Sequence, residues 1–139
     1  MIADFNTVPL MFSDCNIKYF DKKLPTPKFD IIHSKTILGR FQYRRDKNRI
    51  KRQKIMMSDY YDYSEKDFKE ILVHEMIHYY IAYNGINDNG DHGKKFFEIA
   101  DELNKKYDLN ITKTKDTSSF KRTEDVSKSK YSFWSIFSW

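Results

Sequence analysis

The chain has 139 residues, of which 40% are hydrophobic and 17% aromatic, a size and composition typical of one globular domain and not of a disordered segment. Its formal net charge of +5 favours polyanionic partners without identifying one. The only cysteine is Cys15, which excludes an intrachain disulfide and favours a reducing, cytoplasmic location.

The N-terminal region shows no targeting or membrane signal. The opening MIADFNTVPLMF lacks the basic region and the long apolar run of a signal peptide, and no stretch approaches the roughly 20 apolar residues of a spanning helix. Apolar residues recur near helical spacing, and Pro9 is early enough to lie in a first turn, which predicts a helix over residues 9–20. We therefore expect a helical start to the domain and no membrane partner.

Three strand-like runs follow the connection LPTP at residues 24–27. They cover residues 28–34, 36–44 and 49–58, and the turn sequence RDKN separates the last two. Gly39 inside the second run indicates a bulge or a close backbone approach. The simplest topology is a meander, which predicts a small, mainly antiparallel three-stranded sheet.

Two helices are predicted after the strands. Ser64 and Asp67 have the form of an N-terminal capping box for a helix over residues 65–84, whose apolar residues go nearly all the way round. After the loop GINDNG, Asp91 is the predicted N-cap of a second helix that ends near Tyr107. A helix that is apolar on most sides is buried, so the first of these two is the central helix of an α+β domain.

The composition changes after residue 111, where Lys, Ser, Thr and Asp dominate. We therefore divide the chain into a folded domain at residues 1–111 and a C-terminal tail at residues 112–139, basic at first and then aromatic. The tail is expected to be mostly irregular. Its final YSFWSIFSW is too apolar for a solvated segment, and we expect it to pack against the domain.

Three polar residues interrupt the apolar central helix within VHEMIHYY: His74, Glu75 and His78. Positions i and i+4 lie on one face about one turn apart, so both imidazoles can address one metal ion. Glu75 is offset by about 100°, which lets it reach a water on the metal rather than the metal itself. The H-E-x-x-H spacing predicts two ligands and a general base, against the alternative of three polar residues on an ordinary helix.

A catalytic zinc site usually has three protein ligands, and the downstream candidates are His92, Glu98 and Glu102. At about 100° per helical residue, His92 shares a face with the apolar stripe that packs inward, whereas both glutamates fall on the opposite side. We therefore predict His92 as the third ligand. The remaining histidine, His33, lies in a predicted strand and is interpreted as a half-buried structural residue.

HEMIHYY, followed by a short loop and DHGKKFFEIADELNKKY, resembles the SprT-like metalloprotease family, which includes the Spartan proteases that degrade DNA–protein crosslinks. YFDKKLPTPKFDI and LGRFQYR resemble the lead-in helix and first strands of that family, and the resemblance spans about residues 4–111. The resemblance implies a minimal zincin-like fold in which His74, His78 and His92 hold Zn²⁺. Phe96 also matches the family, whose third ligand lies in an H-G-x-x-F pattern. Many family members carry a Cys-rich zinc ribbon after this region, which one cysteine cannot form.

These residues predict a zinc-dependent metallopeptidase in which Glu75 takes the proton from a zinc-activated water and passes it to the leaving amine. Zincins bind their substrate along an edge strand beside the metal, and the resemblance implies the same here. The candidate edge is the strand end before the motif helix, at Met56, Met57 and Ser58. The predicted partner is a protein or peptide, although a hydrolase for another substrate has the same metal chemistry.

A strongly basic stretch lies at the predicted turn between the last two strands. RRDKNRIKRQK at residues 44–54 has seven basic residues and one acidic residue, typical either of a solvated hairpin or of a polyanion contact. The candidate nucleic-acid-binding residues are Arg44, Arg45, Lys47, Arg49, Lys51, Arg52 and Lys54. One hypothesis is therefore a peptidase acting on DNA-associated proteins. The alternative is a non-enzymatic nucleic-acid-binding domain whose zinc is structural and closed by a fourth protein ligand.

Overall fold

The computed structural model describes residues 1–88, 90 and 92–123. Over these residues the fold is α+β, as predicted, with a small three-stranded sheet and a two-stranded ribbon. None of the helices in this part of the chain is long and apolar enough to cross a membrane. In chain order the elements are α1 (Thr7–Phe20), β1 (Lys28–Ile32), β2 (Gly39–Asp46), β3 (Arg49–Ser58), β4 (Tyr61–Asp62), α2 (Glu65–Tyr83), α3 (Lys94–Tyr107) and β5 (Lys121–Arg122).

Helix α1 begins slightly earlier than predicted. The Asp4 carboxylate accepts hydrogen bonds from the backbone N–H groups of Asn6 and Thr7, at 2.8 and 2.7 Å, and so satisfies N–H groups at the helix start. Near the other end, the buried Asn16 side chain bonds both the carbonyl and the N–H of Leu24. Both flanks of α1 are thus fixed by polar contacts while its apolar face joins the core.

Strand β3 lies at the centre of the sheet, whose order is β1-β3-β2. Strand β1 runs parallel to β3, and β2 forms an antiparallel hairpin with it. The predicted meander is therefore wrong, and the sheet is mixed. The physical reason is burial: the last four residues of β3 are buried, and such a strand is shielded best by a neighbour on each side.

The connection between β1 and β2 crosses the end of β3. The Ser58 hydroxyl donates to the carbonyl of Ser34 at 2.6 Å and accepts from the N–H of Ser34 at 3.0 Å. The backbone N–H of Ser58 donates to the carbonyl of Leu38 at 2.8 Å. These bonds hold residues 33–38 across the end of β3, so that β2 can return on its far side.

The bulge in the β2–β3 hairpin lies on β3 and not at the glycine of β2. The register shifts between the pairs Gln42–Lys54 and Arg44–Lys51, and Arg52 in the shifted segment has a positive φ of 58°. A bulge increases the local twist of a strand pair, so it turns the hairpin tip relative to the rest of the sheet.

Helix α2 is the buried central helix that the sequence predicted. Ser64 accepts a hydrogen bond from the N–H of Asp67 at 3.1 Å and donates its hydroxyl to the Asp67 carboxylate, so the N-cap half of the predicted capping box is confirmed. The ring of Tyr79 stacks on that of Phe41 in β2, with centroids 5.1 Å apart. The helix ends before Gly85, whose φ of 64° stops it as expected.

Helix α3 is not capped in the way the sequence predicted. Its N-cap position is Gly93, so the prediction of Asp91 as N-cap is wrong, and Asp91 itself lies outside the described residues. The Asp88 carboxylate in the preceding loop instead accepts from the N–H groups of Lys95 and Phe96, at 3.1 and 3.0 Å. A carboxylate from the loop thereby does what an N-cap side chain usually does.

Residues 112–123, predicted as part of an irregular tail, pack against the domain. Strand β5 pairs antiparallel with β4. The ring of Phe120 contacts the rings of Tyr61 and Tyr63, with centroids 5.5 and 5.7 Å apart. The aromatic segment at residues 131–139 lies outside the described residues, so its expected packing stays a prediction.

Candidate metal centre

Three imidazole rings converge beside α2. His74 and His78 lie on successive turns of that helix, and His92 lies just before α3. The Nε2 atom of His78 is 3.3 Å from the Nε2 atoms of both His74 and His92, which are 3.0 Å from each other. Nitrogen atoms that converge in this way could hold one metal ion. The structure thus brings together the three residues predicted as ligands.

His92 joins the cluster as predicted, although it precedes α3, which begins at Lys94, and is not on the helix from which its phase was counted. Phe96, Ala100 and Leu103 on α3 are buried, whereas Glu98 and Glu102 are exposed on the other side of the helix. Neither glutamate joins the group of potential metal ligands found among the described residues. The apolar stripe of α3 packs inward, and His92, two residues before the start of α3, lies against the histidines of α2.

The imidazole of His74 is held by a backbone carbonyl. Its Nδ1 lies 2.8 Å from the carbonyl oxygen of Thr112, so Nδ1–H is the donor and Nε2 carries the lone pair that faces the other histidines. Burial, with the neighbouring His78 ring adding to it, lowers the pKa of His74 to about 4. The ring is therefore neutral near pH 7, which is the form that binds a metal.

A single buried phenylalanine, Phe96, contacts all three rings. Its centroid lies 4.8 Å from the centroids of His74, His78 and His92, and the ring stacks on His78 at an interplanar angle of 26°. Phe96 has no exposed surface, so it excludes water from one side of the cluster. The sequence placed Phe96 on the inward stripe of α3 but gave no sign that it would contact every ring.

Glu75 lies beside the histidine cluster. Its Oε2 is 3.9 Å from Nε2 of His74, and only 11% of its side chain is exposed. Burial raises the pKa of Glu75 to about 8, and the charge of Arg40 acts in the opposite direction. The Glu75 side chain packs directly against the backbone of Gly39, because a Cβ at that position would lie only 3.1 Å from Cγ of Glu75. The close backbone approach predicted for Gly39 is thus an approach to the predicted general base.

A groove of about 950 Å³ runs past the cluster. Residues 35–41, which comprise the end of the β1–β2 connection and the first three residues of β2, line one side. Residues 110–115, which we call the strap, line the other. His74, Glu75 and His78 lie between these two walls. The predicted ligands and the predicted base therefore border a space that an extended chain can enter.

The predicted substrate edge at Met56, Met57 and Ser58 is wrong. These residues end the central strand β3, where Met57 already pairs with Ile31 on one side and Gly39 on the other, and all three are buried. A strand with both neighbours in place has no free main-chain groups for a peptide. The groove is bordered instead by β2, an edge strand of this sheet.

The basic hairpin, residues 44–54, is exposed over most of its length, as a polyanion contact or a solvated face requires. The Nζ atom of Lys51 lies 3.4 Å from Oδ2 of Asp46. The guanidinium carbon of Arg45 lies over the ring of Tyr43, 5.7 Å from the ring centroid. Side chains from both strands line a second cavity of about 1080 Å³, among them Arg44, Arg52 and Lys54. The structure therefore gathers part of the predicted basic set around one depression.

His33 takes no part in the histidine cluster. It lies just past β1, 56% of its side chain is exposed, and its Nδ1 is 2.6 Å from Oδ1 of Asp59. The interpretation of a half-buried strand residue is therefore wrong, because β1 ends before it.

Comparison with known protein families identifies one match. A search of curated proteins finds no match to the chain. The SprT-like family matches residues 8–115, a range that contains the three histidines, Glu75, Gly39 and the strap. The match covers most of the chain, and the chain belongs to the SprT-like family.

Proposed function

We propose that this protein is a zinc-dependent metallopeptidase in which Glu75 is the general base. One observation carries the proposal: three imidazole Nε2 atoms lie within 3.3 Å of one another in a groove, with a buried carboxylate beside them. Two groups that differ in role, a set of imidazole ligands and an adjacent carboxylate base, are what hydrolysis by a metal-activated water requires.

The donor set fits zinc. Imidazole nitrogens are common zinc ligands, and three protein ligands with an open position are typical of a catalytic site. When bound, zinc polarises a substrate carbonyl and lowers the pKa of water to about 7. A structural zinc would need a fourth protein ligand, and the potential ligands that group together within the described residues are His74, His78 and His92 alone.

Glu75 would move the proton. Its carboxylate is largely shielded from water, which makes it a stronger base than an exposed glutamate. It would accept a proton from the attacking water and release it to the amine that leaves the peptide. Gly39 leaves room for this carboxylate beside the histidines, because a side chain at position 39 would collide with that of Glu75.

The substrate would be an extended protein segment lying along β2. Among the described residues that strand pairs with β3 alone, and its first residues line the groove beside Glu75. Main-chain pairing with an edge strand binds many sequences, because it uses groups that every peptide has. This replaces the end of β3 with β2 as the strand that receives the substrate.

The test compares the wild type with Glu75→Gln on an unfolded protein substrate, together with metal analysis after zinc addition. We expect Glu75→Gln to keep its zinc and to lose about 10²–10⁴-fold in rate, the usual contribution of a general base. Glu102→Gln, an exposed change on α3, is the matched control and keeps its activity. A wild type that binds no zinc, or a Glu75→Gln variant that cleaves normally, would contradict the proposal.

We further propose that the basic hairpin contacts nucleic acid, which would bring the peptidase to DNA-associated proteins. The supporting observation is the exposed basic set around the second cavity, with Arg44, Arg52 and Lys54 among its lining residues. Arginine and lysine side chains that contact phosphates release counterions, so such binding weakens steeply with salt.

The double variant Arg44→Ala/Arg52→Ala tests this second proposal. On duplex DNA each lost phosphate contact reduces the slope of log K against log salt by about 0.9. Lys105→Ala/Lys106→Ala, which removes two exposed charges from the last turn of α3, is the control with the same charge change. Equal weakening by both double variants would refute a specific role for the hairpin. DNA binding without any proteolysis would favour the non-enzymatic alternative.

A cytoplasmic location stays a prediction from the cysteine content. Cys15 is 1% exposed, and burial raises the pKa of its thiol to about 12. A buried thiol with so high a pKa is unreactive.

A further inference from the structure

The strap is attached to α2 at both of its ends by one carboxylate. The Oε2 atom of Glu70 accepts a hydrogen bond from the backbone N–H of Asn110 at 2.7 Å. Its Oε1 atom lies 2.7 Å from Nζ of Lys115, which is also 3.2 Å from Oδ1 of Asp67. Glu70 therefore joins the first and the last residue of the strap to the same turn of the helix.

This ion pair is shielded from water. The side chain of Glu70 is 3% exposed and that of Lys115 is 16% exposed. Removing one partner of a buried pair leaves the other charge uncompensated, which is far more costly than losing a surface ion pair. This contact is not evident along the chain, because Lys115 lies in a polar stretch that is typical of a solvated segment.

The middle of the strap contacts the metal centre. Thr112 lies between the two attached ends, and its carbonyl receives the Nδ1–H of His74 at 2.8 Å. Glu70 and His74 are at positions i and i+4 of α2, so they lie on the same face of the helix. The carboxylate that holds the strap is thus one turn from the ligand that the strap orients.

A second contact, between the Asn104 side chain and the backbone of Ile111, holds the strap on the N-terminal side of Thr112. The Asn104 side chain accepts from the N–H of Ile111 at 2.8 Å and donates to the carbonyl of Ile111 at 3.0 Å. Ile111 itself is buried. The residues after Thr112 are exposed until Lys115, so the ion pair with Glu70 restrains the strap on its downstream side.

We propose that Glu70 and Lys115 are positioning residues of the metal centre, whose ion pair fixes the Thr112 carbonyl on His74 and so sets the tautomer and direction of that ligand. This inference rests on the proposed metal site and adds a role for two residues that are not among the potential metal ligands. Partners that orient a ligating histidine typically contribute 10–100-fold to metal affinity.

The experiment measures zinc affinity of the full chain by competition with a chromophoric chelator. We expect Lys115→Met to weaken zinc binding about 10–100-fold and Lys115→Arg to restore most of it. Lys113→Met removes the same charge from an exposed position of the same strap and is the matched control, with affinity within about twofold of the wild type. A folded Lys115→Met variant with wild-type affinity, or an equal loss in Lys113→Met, overturns the proposal.

A second readout follows the imidazole directly. In ¹⁵N–¹H spectra of the zinc-free wild type, we expect the proton of His74 on Nδ1, and in Lys115→Met a mixture of both tautomers. A wild type with the proton on Nε2 overturns the proposal. Should Lys115→Met fail to fold, Glu70→Gln takes its place in both measurements, because it removes the charge and keeps an acceptor for Asn110.

These measurements need no substrate, so they separate this proposal from the peptidase itself. A wild type that binds zinc without cleaving protein overturns the proposed activity and leaves the positioning role intact. Normal zinc affinity in Lys115→Met overturns the positioning role and leaves the proposed peptidase activity intact.

Discussion

Replacing Gly39 with alanine is expected to impair catalysis more than folding. The added Cβ would lie 3.1 Å from Cγ of Glu75 and 3.2 Å from its Oε2. Carbon atoms in favourable contact are about 3.5–4.0 Å apart, so the carboxylate must move by roughly 0.4 Å or more. The backbone of Gly39 itself does not require glycine, because its φ is not in the left-handed region.

The magnitude follows from that displacement. Misplacing a catalytic group by about 1 Å can cost 10²-fold, so a shift of roughly 0.4 Å should lower kcat about five- to tenfold. Overpacking typically costs about 1–3 kcal/mol, and restricting the unfolded chain returns about 0.4–1 kcal/mol. The free energy of unfolding should therefore fall by only about 1–2 kcal/mol.

The assay compares kcat on one unfolded protein substrate at a temperature where every variant is folded. Gly85→Ala is the control, because φ at Gly85 is +64° and no atom lies within 4 Å of an added Cβ. That change strains the backbone without touching Glu75. An unchanged kcat in Gly39→Ala, or an equal loss in Gly85→Ala, would refute the reasoning.

Two further predictions concern the support of the histidines. Phe96→Ala should lower the free energy of unfolding by about 3–5 kcal/mol, because it leaves a cavity at a fully buried site against the three histidine rings. Denaturant titration measures this loss, and a value below about 1 kcal/mol would contradict the prediction. Asp88→Ala removes the acceptor for two N–H groups at the start of α3 and should cost about 0.5–2 kcal/mol. It should also weaken zinc binding, because His92 lies in the segment between Asp88 and α3; unchanged zinc affinity in a chelator competition would show that the cap does not position this ligand.

Sequence reasoning succeeded where the signal is local. The spacing of His74 and His78 is a property of one helix, and the apolar stripe of α3 is a property of another, so both were readable along the chain. His92 was then correctly assigned to the cluster, although it lies just before α3 and not within it. The N-cap role of Ser64 is equally local and was equally predictable.

The failures concern contacts between distant segments. The sequences of β1 and β2 do not indicate which of these two strands pairs in parallel with β3. The sheet order and the substrate edge at Met56–Ser58 were therefore both predicted incorrectly. The cap of α3 comes from Asp88, across a loop whose conformation the sequence does not show. Lys115 is partly buried beside Glu70 and Asp67, whereas composition alone predicts an exposed lysine.

The central position of β3 also orders the events of folding. The β2–β3 hairpin closes at the pair Asp46–Arg49, whereas β1 reaches β3 through long-range pairs such as Lys28–Lys54. Loop-closure entropy grows with chain separation, so the hairpin should form before β1 joins it. Residues 33–38 should become fixed across β3 only after β1 has joined it, so the part of the groove wall that precedes Gly39 should form last. Its amides should exchange with solvent faster than those of α2, and the groove would then open from the sheet side while the histidine-bearing helix stays folded.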